Sequence, residues 1–254
     1  MRSSPFATLD RLMAPAPDAA RVAFLRARDV AHRGLWGGGV PENSLAAASA
    51  AVAAGFAIEC DVRLAGDGTV FVFHDADVQR MCGVAGRIEA MTADTIGALR
   101  LSATQEPVPR LARLLDTIAG RVPLLIEIKT DGPAAAAICL AVRRVLEGYR
   151  GPVAVMGFNP EVSRWFATHA PRIVHGLVME ERGGLVDSVK RRLAVWRAKP
   201  DFLAYDVRAL PSALPTALRA KGMPVLSWTV RSDADRATVA THADRPIFEQ
   251  AARP

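Results

Sequence analysis

Glu59 and Asp61, and further along Glu127 and Lys129, stand two residues apart in short apolar runs, 58–64 and 124–129, that read as β-strands. Side chains alternate across a strand, so the members of each pair point the same way. Turned inward in a closed sheet, they bring three carboxylates and one ammonium together. Crowded carboxylates raise one another's pKa unless something positive sits among them. Oxygen donors without thiolates suit a hard divalent cation, Mg²⁺ or Ca²⁺. The three carboxylates and one such ion sum to −1, and Lys129 with Arg33 brings the total to +1, a charge that attracts a phosphodiester. The competing account pairs the same carboxylates with arginines at the rim of the fold.

His32, in His32-Arg33-Gly34, and His74, in His74-Asp75, are the two of five histidines that flank this cluster. Phosphodiester cleavage needs a base to activate a nucleophile and an acid to protonate the leaving alkoxide, and imidazole does both near neutral pH. His175 falls inside a strand, and His169 and His242 fall just past helix ends, where packing or surface roles are expected. Cys60 faces away from its two acidic neighbours and reads as an inert buried thiol. Gly37-Gly38-Gly39 lacks both the Gly-Lys-Ser/Thr ending of a nucleotide loop and the spacing of a dinucleotide fingerprint, which leaves a turn near the site. Trp228, near the end of a strand, either lines a substrate pocket or packs in the core.

The elements that must position these groups alternate along the chain. Strands are expected at 29–32, 58–64, 124–129, 153–156, 173–177, 202–205, 225–229 and 246–248, with an added strand or turn at 69–73. Helices are expected at 44–54, 93–99, 110–118, 134–146, 161–168, 185–198, 212–220 and 233–240, with caps such as Asn43 and Asn159-Pro160. Such alternation means parallel pairing with crossover helices. Eight units of this length fit an α/β fold of the (β/α)8 TIM-barrel type, with a doubly wound open sheet as the competitor. In a barrel the loops at the carboxyl ends of the strands converge, and the polar residues named above cluster at those ends. Residues 1–254 read as one domain with a core at about 29–249 and a small insertion after the second strand, at about 81–109.

Half of the 254 residues are hydrophobic and 23% are charged, the balance of a globular protein able to bury a large core. The longest stretch without a formal charge, 43–58, contains Asn, Ser and Gly and falls short of the roughly 20 apolar residues of a membrane span. Charges at Arg2, Asp10, Arg11 and Asp18 leave no apolar centre for a signal peptide. Three scattered cysteines form neither a disulfide framework nor a zinc-thiolate site, so a reduced, cytoplasmic setting is expected. The net charge of +6 does not by itself mean nucleic acid, since no binding motif accompanies the arginines. Lys190, Arg191, Arg192, Arg197 and Lys199 read as a solvated helix face.

Taken in order, His32-Arg33-Gly34, Pro41-Glu42-Asn43-Ser44, Glu59-x-Asp61, Asp67-Gly68, Val72-Phe73-His74-Asp75, Glu127-Ile128-Lys129 and Ser227-Trp228-Thr229-Val230 resemble the glycerophosphodiester phosphodiesterase family over most of the chain. The resemblance implies a barrel with a small insertion after the second strand. It also implies metal-dependent hydrolysis of a small-molecule glycerophosphodiester to sn-glycerol 3-phosphate and an alcohol. Carried over by position, Glu59, Asp61 and Glu127 would hold the metal, and His32 and His74 would form the acid–base pair. Arg33 and Lys129 would bind phosphate, Trp228 would shape the pocket, and Glu42 would support the site by orienting His32 or touching the metal. The nucleophile would be water or the substrate's own neighbouring hydroxyl.

The chain departs from the family pattern in three places: Arg80-Met81-Cys82-Gly83 after the His-Asp pair, Gly157 before Phe158-Asn159, and a last strand, Asp244 to Glu249, without the Gly-Val…Thr-Asp ending. None removes a proposed ligand or proton carrier; they bear on which alcohol leaves. Two alternatives stand beside the main reading, a phospholipase D-type hydrolysis of lysophospholipids and a non-catalytic barrel that binds phosphodiesters. Oligomeric state is not encoded in these motifs.

Overall fold

The computed structural model describes residues 10, 13–130 and 135–249. The first residue of the helix expected at 134–146, and most of the amino-terminal stretch read for a signal segment, lie outside them. Eight parallel strands alternating with helices make the chain a (β/α)8 TIM barrel. The described residues form two compact units, one from Val30–Val153 with Glu249, the other from Ala154–Phe248 with the described residues before Val30.

The first unit contains β1 (Val30–Ala31), α1 (Leu45–Ala54), β2 (Ala57–Leu64), β3 (Val70–Val72), α2 (Ala93–Ala98), α3 (Leu111–Ile118), β4 (Leu124–Ile128) and α4 (Ala135–Val145). β2 is the central strand, parallel to β1 on one side and to β4 on the other, with β3 antiparallel at its far end. The register sets Asp61 opposite Glu127, which is why two residues 66 positions apart become neighbours. β1 is shorter than the expected 29–32. The chain leaves the ladder at His32 because Arg33 and Gly34 turn into left-handed conformations, with φ of 60° and 80°. A side chain at position 34 would stand 2.9 Å from the backbone and Cβ of Ala47. Glycine therefore lets the turn lie directly against α1.

The cap of α1 differs from expectation. Ser44, not Asn43, holds the helix start, its hydroxyl accepting from the Ala47 amide at 3.0 Å and donating to Pro41 O at 2.8 Å. Asn43 takes a left-handed φ of 56° and turns its amide elsewhere. In the second unit Asn159 caps its helix as expected, with Pro160 in the first turn.

That unit runs β5 (Val153–Met156, from Ala154 on), α5 (Pro160–His169), β6 (Val174–Met179), α6 (Leu185–Ala198), β7 (Phe202–Asp206), α7 (Ala213–Arg219), β8 (Val225–Val230), α8 (Asp233–His242) and β9 (Arg245–Phe248), with successive strands parallel. The basic face expected on α6 is only partly solvated. Arg191 and Arg192 are buried, Arg191 against Asp187, Glu181 and Tyr205, and Arg192 against the fully buried Asp10. Their long stems cover apolar surface while each guanidinium finds a carboxylate, so a charge-rich stretch becomes interior.

The stretch after β3 that holds the insertion expected at 81–109 is a set of short turns with α2 at the centre. Helices this short do not stand alone in water. They are held by a buried cluster that joins Phe71, Phe73 and Val78 to Met81, Ile88, Ile96, Leu101 and Val108. Two bonds tie the insertion back to the turn after β2: Gly66 N donates to Met91 O at 2.8 Å, and Ala93 N donates to the Asp67 carboxylate at 2.6 Å. Ile96 is fully buried here, so Ile96→Ala is expected to cost about 2–5 kcal/mol, measured by urea unfolding. A loss under about 1 kcal/mol, typical of surface changes, would mean that the cluster does not hold the insertion.

Candidate active site

β2 and β4 bring Glu59, Asp61 and Glu127 together, all three buried, with one oxygen from each within 4.8 Å of the others. Lys129, just past the end of β4, lies between two of them: its ammonium donates to Glu127 Oε1 and stands 3.0 Å from Asp61 Oδ1. Arg33 closes the other side. Its guanidinium is 3.2 Å from Asp61 Oδ2 and donates to Glu42 Oε1 at 2.9 Å, while its backbone N–H donates to Glu59 Oε2 at 3.0 Å. The left-handed turn at Arg33 delivers both contacts at once. Such a conformation costs a non-glycine residue about 1–2 kcal/mol. Asn43 clamps Asp61 from two directions, donating from Nδ2 to Oδ2 at 3.0 Å and accepting the Asp61 amide at 3.2 Å.

The three carboxylates are not equivalent. Burial, reinforced by Asp61 and Glu127, pushes the Glu59 carboxyl well above its ordinary range. Burial also raises Glu127, against the pull of Lys129. Asp61 is equally buried, yet Lys129 and Arg33 hold it below the usual carboxylate range. Lys129 stays charged despite burial because Asp61 and Glu127 face it. Glu59 Oε1 is buried with no hydrogen-bond partner, and Asp61 Oδ1 has the charge of Lys129 beside it but no aligned hydrogen bond. An orphaned carboxylate oxygen is costly in a dry site. Aimed into an all-oxygen cluster, it fits a hard divalent cation as its missing partner.

Both candidate proton carriers border the cluster. His32 Nδ1 lies 2.7 Å from Glu249 Oε1 and its Nε2 lies 3.8 Å from Glu59 Oε2. His74 Nδ1 lies 2.6 Å from Asp75 Oδ1, and burial lowers the His74 pKa against the opposing charge of Asp61. An ionised carboxylate only accepts, so in each pair Nδ1 carries the proton and Nε2 is left for chemistry. Arg80 donates from Nε to Asp75 at 2.5 Å and from Nη2 to Glu42 Oε1 at 2.7 Å. Glu42 thus joins Arg33 to Arg80, and the carboxylate beside His32 is that of Glu249. A cavity of about 700 Å³ lined by His74, Asp75, Arg80 and Lys129 opens here, and another of about 450 Å³ lies among Arg63, Arg87, Glu89 and Lys129. Trp228 belongs to the second unit, on β8, where its ring meets Phe158 edge-on at 5.5 Å and its Nε1 donates to Ala204 O.

Sequence reasoning missed three members of this assembly. Asn43 stood in the Pro41-Glu42-Asn43-Ser44 motif but was given no role beyond a helix cap, Arg80 stood in a stretch noted for departing from the family pattern, and Glu249 is 217 positions from His32 with no local signal. Cys60 is buried between the acidic residues and its thiol is pushed well up, as an inert thiol requires.

Fold and site define a class: a TIM-barrel hydrolase of phosphate diesters, with an acidic triad and two histidines at the strand ends. The model of the glycerophosphoryl diester phosphodiesterase family matches residues 32–245, and the chain belongs to that family. It is 24% identical over 212 residues to YhdW of Bacillus subtilis (strain 168), covering 80% of this chain and 86% of YhdW. An Oleispira antarctica phosphodiesterase, solved in complex with its product sn-glycerol-3-phosphate, superposes with a TM-score of 0.75 at 22% identity over 87% of this chain and 91% of that one. The glycerophosphodiester phosphodiesterase of Thermotoga maritima gives 0.70 at 23% identity, over 87% and 94%. Among the described residues, no helix is long and apolar enough to cross a membrane.

Removing one charge from the triad separates its cost from its use. In chelator, Glu59→Gln is expected to unfold at or above the wild-type temperature, because burial beside Asp61 and Glu127 penalises the charged form of Glu59, which Gln never carries. Mg²⁺ or Ca²⁺ should stabilise the wild type by about 2.7 kcal/mol at a hundredfold excess over Kd, raising its midpoint, and leave the variant nearly unmoved. Equal responses of the two proteins in a thermal melt would remove Glu59 from the cation site.

Proposed function

We propose that the protein hydrolyses glycerophosphodiesters to sn-glycerol 3-phosphate and an alcohol, with His32 and His74 as the acid–base pair and Glu59, Asp61 and Glu127 as the ligands of one Mg²⁺ or Ca²⁺. The observation that carries this reading is the buried, unpartnered oxygen of Glu59 in an all-oxygen cluster flanked by two histidines, each with a carboxylate on Nδ1. A bound divalent ion would neutralise charge on the phosphodiester oxygens and draw electron density from phosphorus.

The protein's own groups would do the rest. Arg33 and Lys129, already turned toward the cluster, would hold the non-bridging oxygens by charge. One imidazole would take the proton of the attacking hydroxyl, whether water or the substrate's own neighbouring hydroxyl, as its oxygen bonds to phosphorus. The other, entering as an imidazolium with a second proton on Nε2, would give that proton to the alkoxide as the bond from phosphorus to the leaving oxygen breaks, and would return to the neutral form with Nδ1–H on its carboxylate. Asp75 would hold the His74 ring in the tautomer that leaves Nε2 free, with Arg80 fixing Asp75 in turn. Glu42 would steady Arg33, the phosphate-facing cation.

The assay is release of glycerol 3-phosphate from glycerophosphocholine, glycerophosphoethanolamine, glycerophosphoglycerol and a lysophospholipid, after chelation and again with Mg²⁺ or Ca²⁺ restored. Release from the deacylated diesters should vanish on chelation and return with metal. Release that survives chelation would refute metal dependence, and lysophospholipid as the preferred substrate would move the activity to a phospholipase D type. Replacing His32 or His74 by Ala should lower turnover by about 10²–10⁴-fold while circular dichroism stays unchanged. Near-normal turnover in either variant would remove that histidine from the mechanism.

A further inference from the structure

Glu249 stands in the last strand's departing segment, where the sequence lacks the ending common in the family, and nothing in its neighbourhood along the chain points to chemistry. The fold nevertheless brings its Oε1 to 2.7 Å from Nδ1 of His32. Both groups are largely withdrawn from solvent, with side-chain exposures of 11% and 14%. From this geometry we infer that Glu249 is the positioning residue of His32, fixing the ring so that Nε2 faces the carboxylate cluster. The inference rests on the proposed acid–base role of His32.

Three observations support it. The contact is a charge-assisted hydrogen bond at normal length, so the Nδ1 proton is fixed by Glu249 and the free nitrogen is Nε2. That nitrogen points toward Glu59, at 3.8 Å from Oε2. The backbone of His32 is pinned independently, its carbonyl accepting from Trp36 Nε1 at 3.0 Å. With the main chain fixed, ring rotation is the remaining freedom, and the Glu249 carboxylate removes it. His74 has the same arrangement with its sequence neighbour Asp75. The two imidazoles are thus presented alike, one by an adjacent residue and one by a residue from the far end of the chain. Glu249 touches His32 and not the reacting atoms, so its effect is indirect.

The test compares Glu249→Ala, Glu249→Gln and Glu249→Asp with His32→Ala in the full-length, metal-restored protein, on glycerophosphocholine. Loss of a carboxylate that orients a metal-ligating histidine costs about 10–100-fold in activity, and a loss of that order is expected at His32. Glu249→Ala should lose that much in kcat with KM little changed. Glu249→Asp should recover part of the loss. Glu249→Gln, whose amide can donate to Nδ1 and stabilise the opposite tautomer, should be worse than Glu249→Asp although it matches the native size. In proton NMR, the downfield Nδ1–H resonance that disappears in His32→Ala should also disappear in Glu249→Ala and persist in Glu249→Asp. Full kcat in Glu249→Ala, where His32→Ala is inactive, would overturn this inference alone. Equal losses in all three Glu249 variants accompanied by a common fall in melting temperature would also overturn it, in favour of a structural role. Normal turnover in His32→Ala would sink the acid–base reading and this inference with it.

Discussion

Three carboxylates held out of water within a few ångströms of one another are the constraint around which this site is organised. Coulomb repulsion at that separation is severe once water is excluded. A chain that keeps such a cluster must supply compensating charge from several directions. Here the residue just past β4 supplies Lys129's ammonium, the turn after β1 supplies Arg33, and the loop before α1 supplies the neutral clamp of Asn43. The compensation is unequal. Asp61 receives both cations and the amide and stays ionised readily, whereas Glu59 receives a single backbone N–H and keeps one oxygen bare. The protein alone therefore compensates the charge of one member of the triad and leaves another wanting a partner.

That inequality explains the conformations nearby. Arg33 and Asn43 are both left-handed, an arrangement non-glycine residues adopt rarely, though Asn adopts it more easily than Arg. Unusual dihedrals survive where surrounding contacts over-determine them. Arg33 has two carboxylates on its guanidinium and one on its amide, and Asn43 has Asp61 on both ends of its side chain. The strain and the electrostatic compensation are the same feature seen from the backbone and from the side chain.

Much of the fold could be read from the sequence because its signals are local. Alternation of β-branched and Ala-rich runs located the strands and helices to within a few residues, and the i, i+2 spacing put Glu59 with Asp61 and Glu127 with Lys129. What escaped was non-local or ambiguous. Asn43 looks like a helix cap, and only the structure shows that Ser44 has that task and that Asn43 serves Asp61. Arg191 and Arg192 look like surface charge until the carboxylates of Glu181, Asp187 and Asp10 are seen to face them. Glu249 has no periodicity, spacing or neighbour that links it to His32, and such a pair becomes visible only when the chain is folded.

The insertion after β2 carries its own apolar cluster, in which Ile88, Ile96 and Leu101 pack on Phe71 and Phe73 without borrowing from the acidic residues. Its charged side chains, among them Arg80, Arg87 and Glu89, line the two cavities that reach Lys129. Separate cores mean that sequence drift in this segment can reshape the walls around a substrate while the triad keeps its register. Within such a lineage the reaction would be inherited as a fixed part and the choice of leaving alcohol as an exchangeable one.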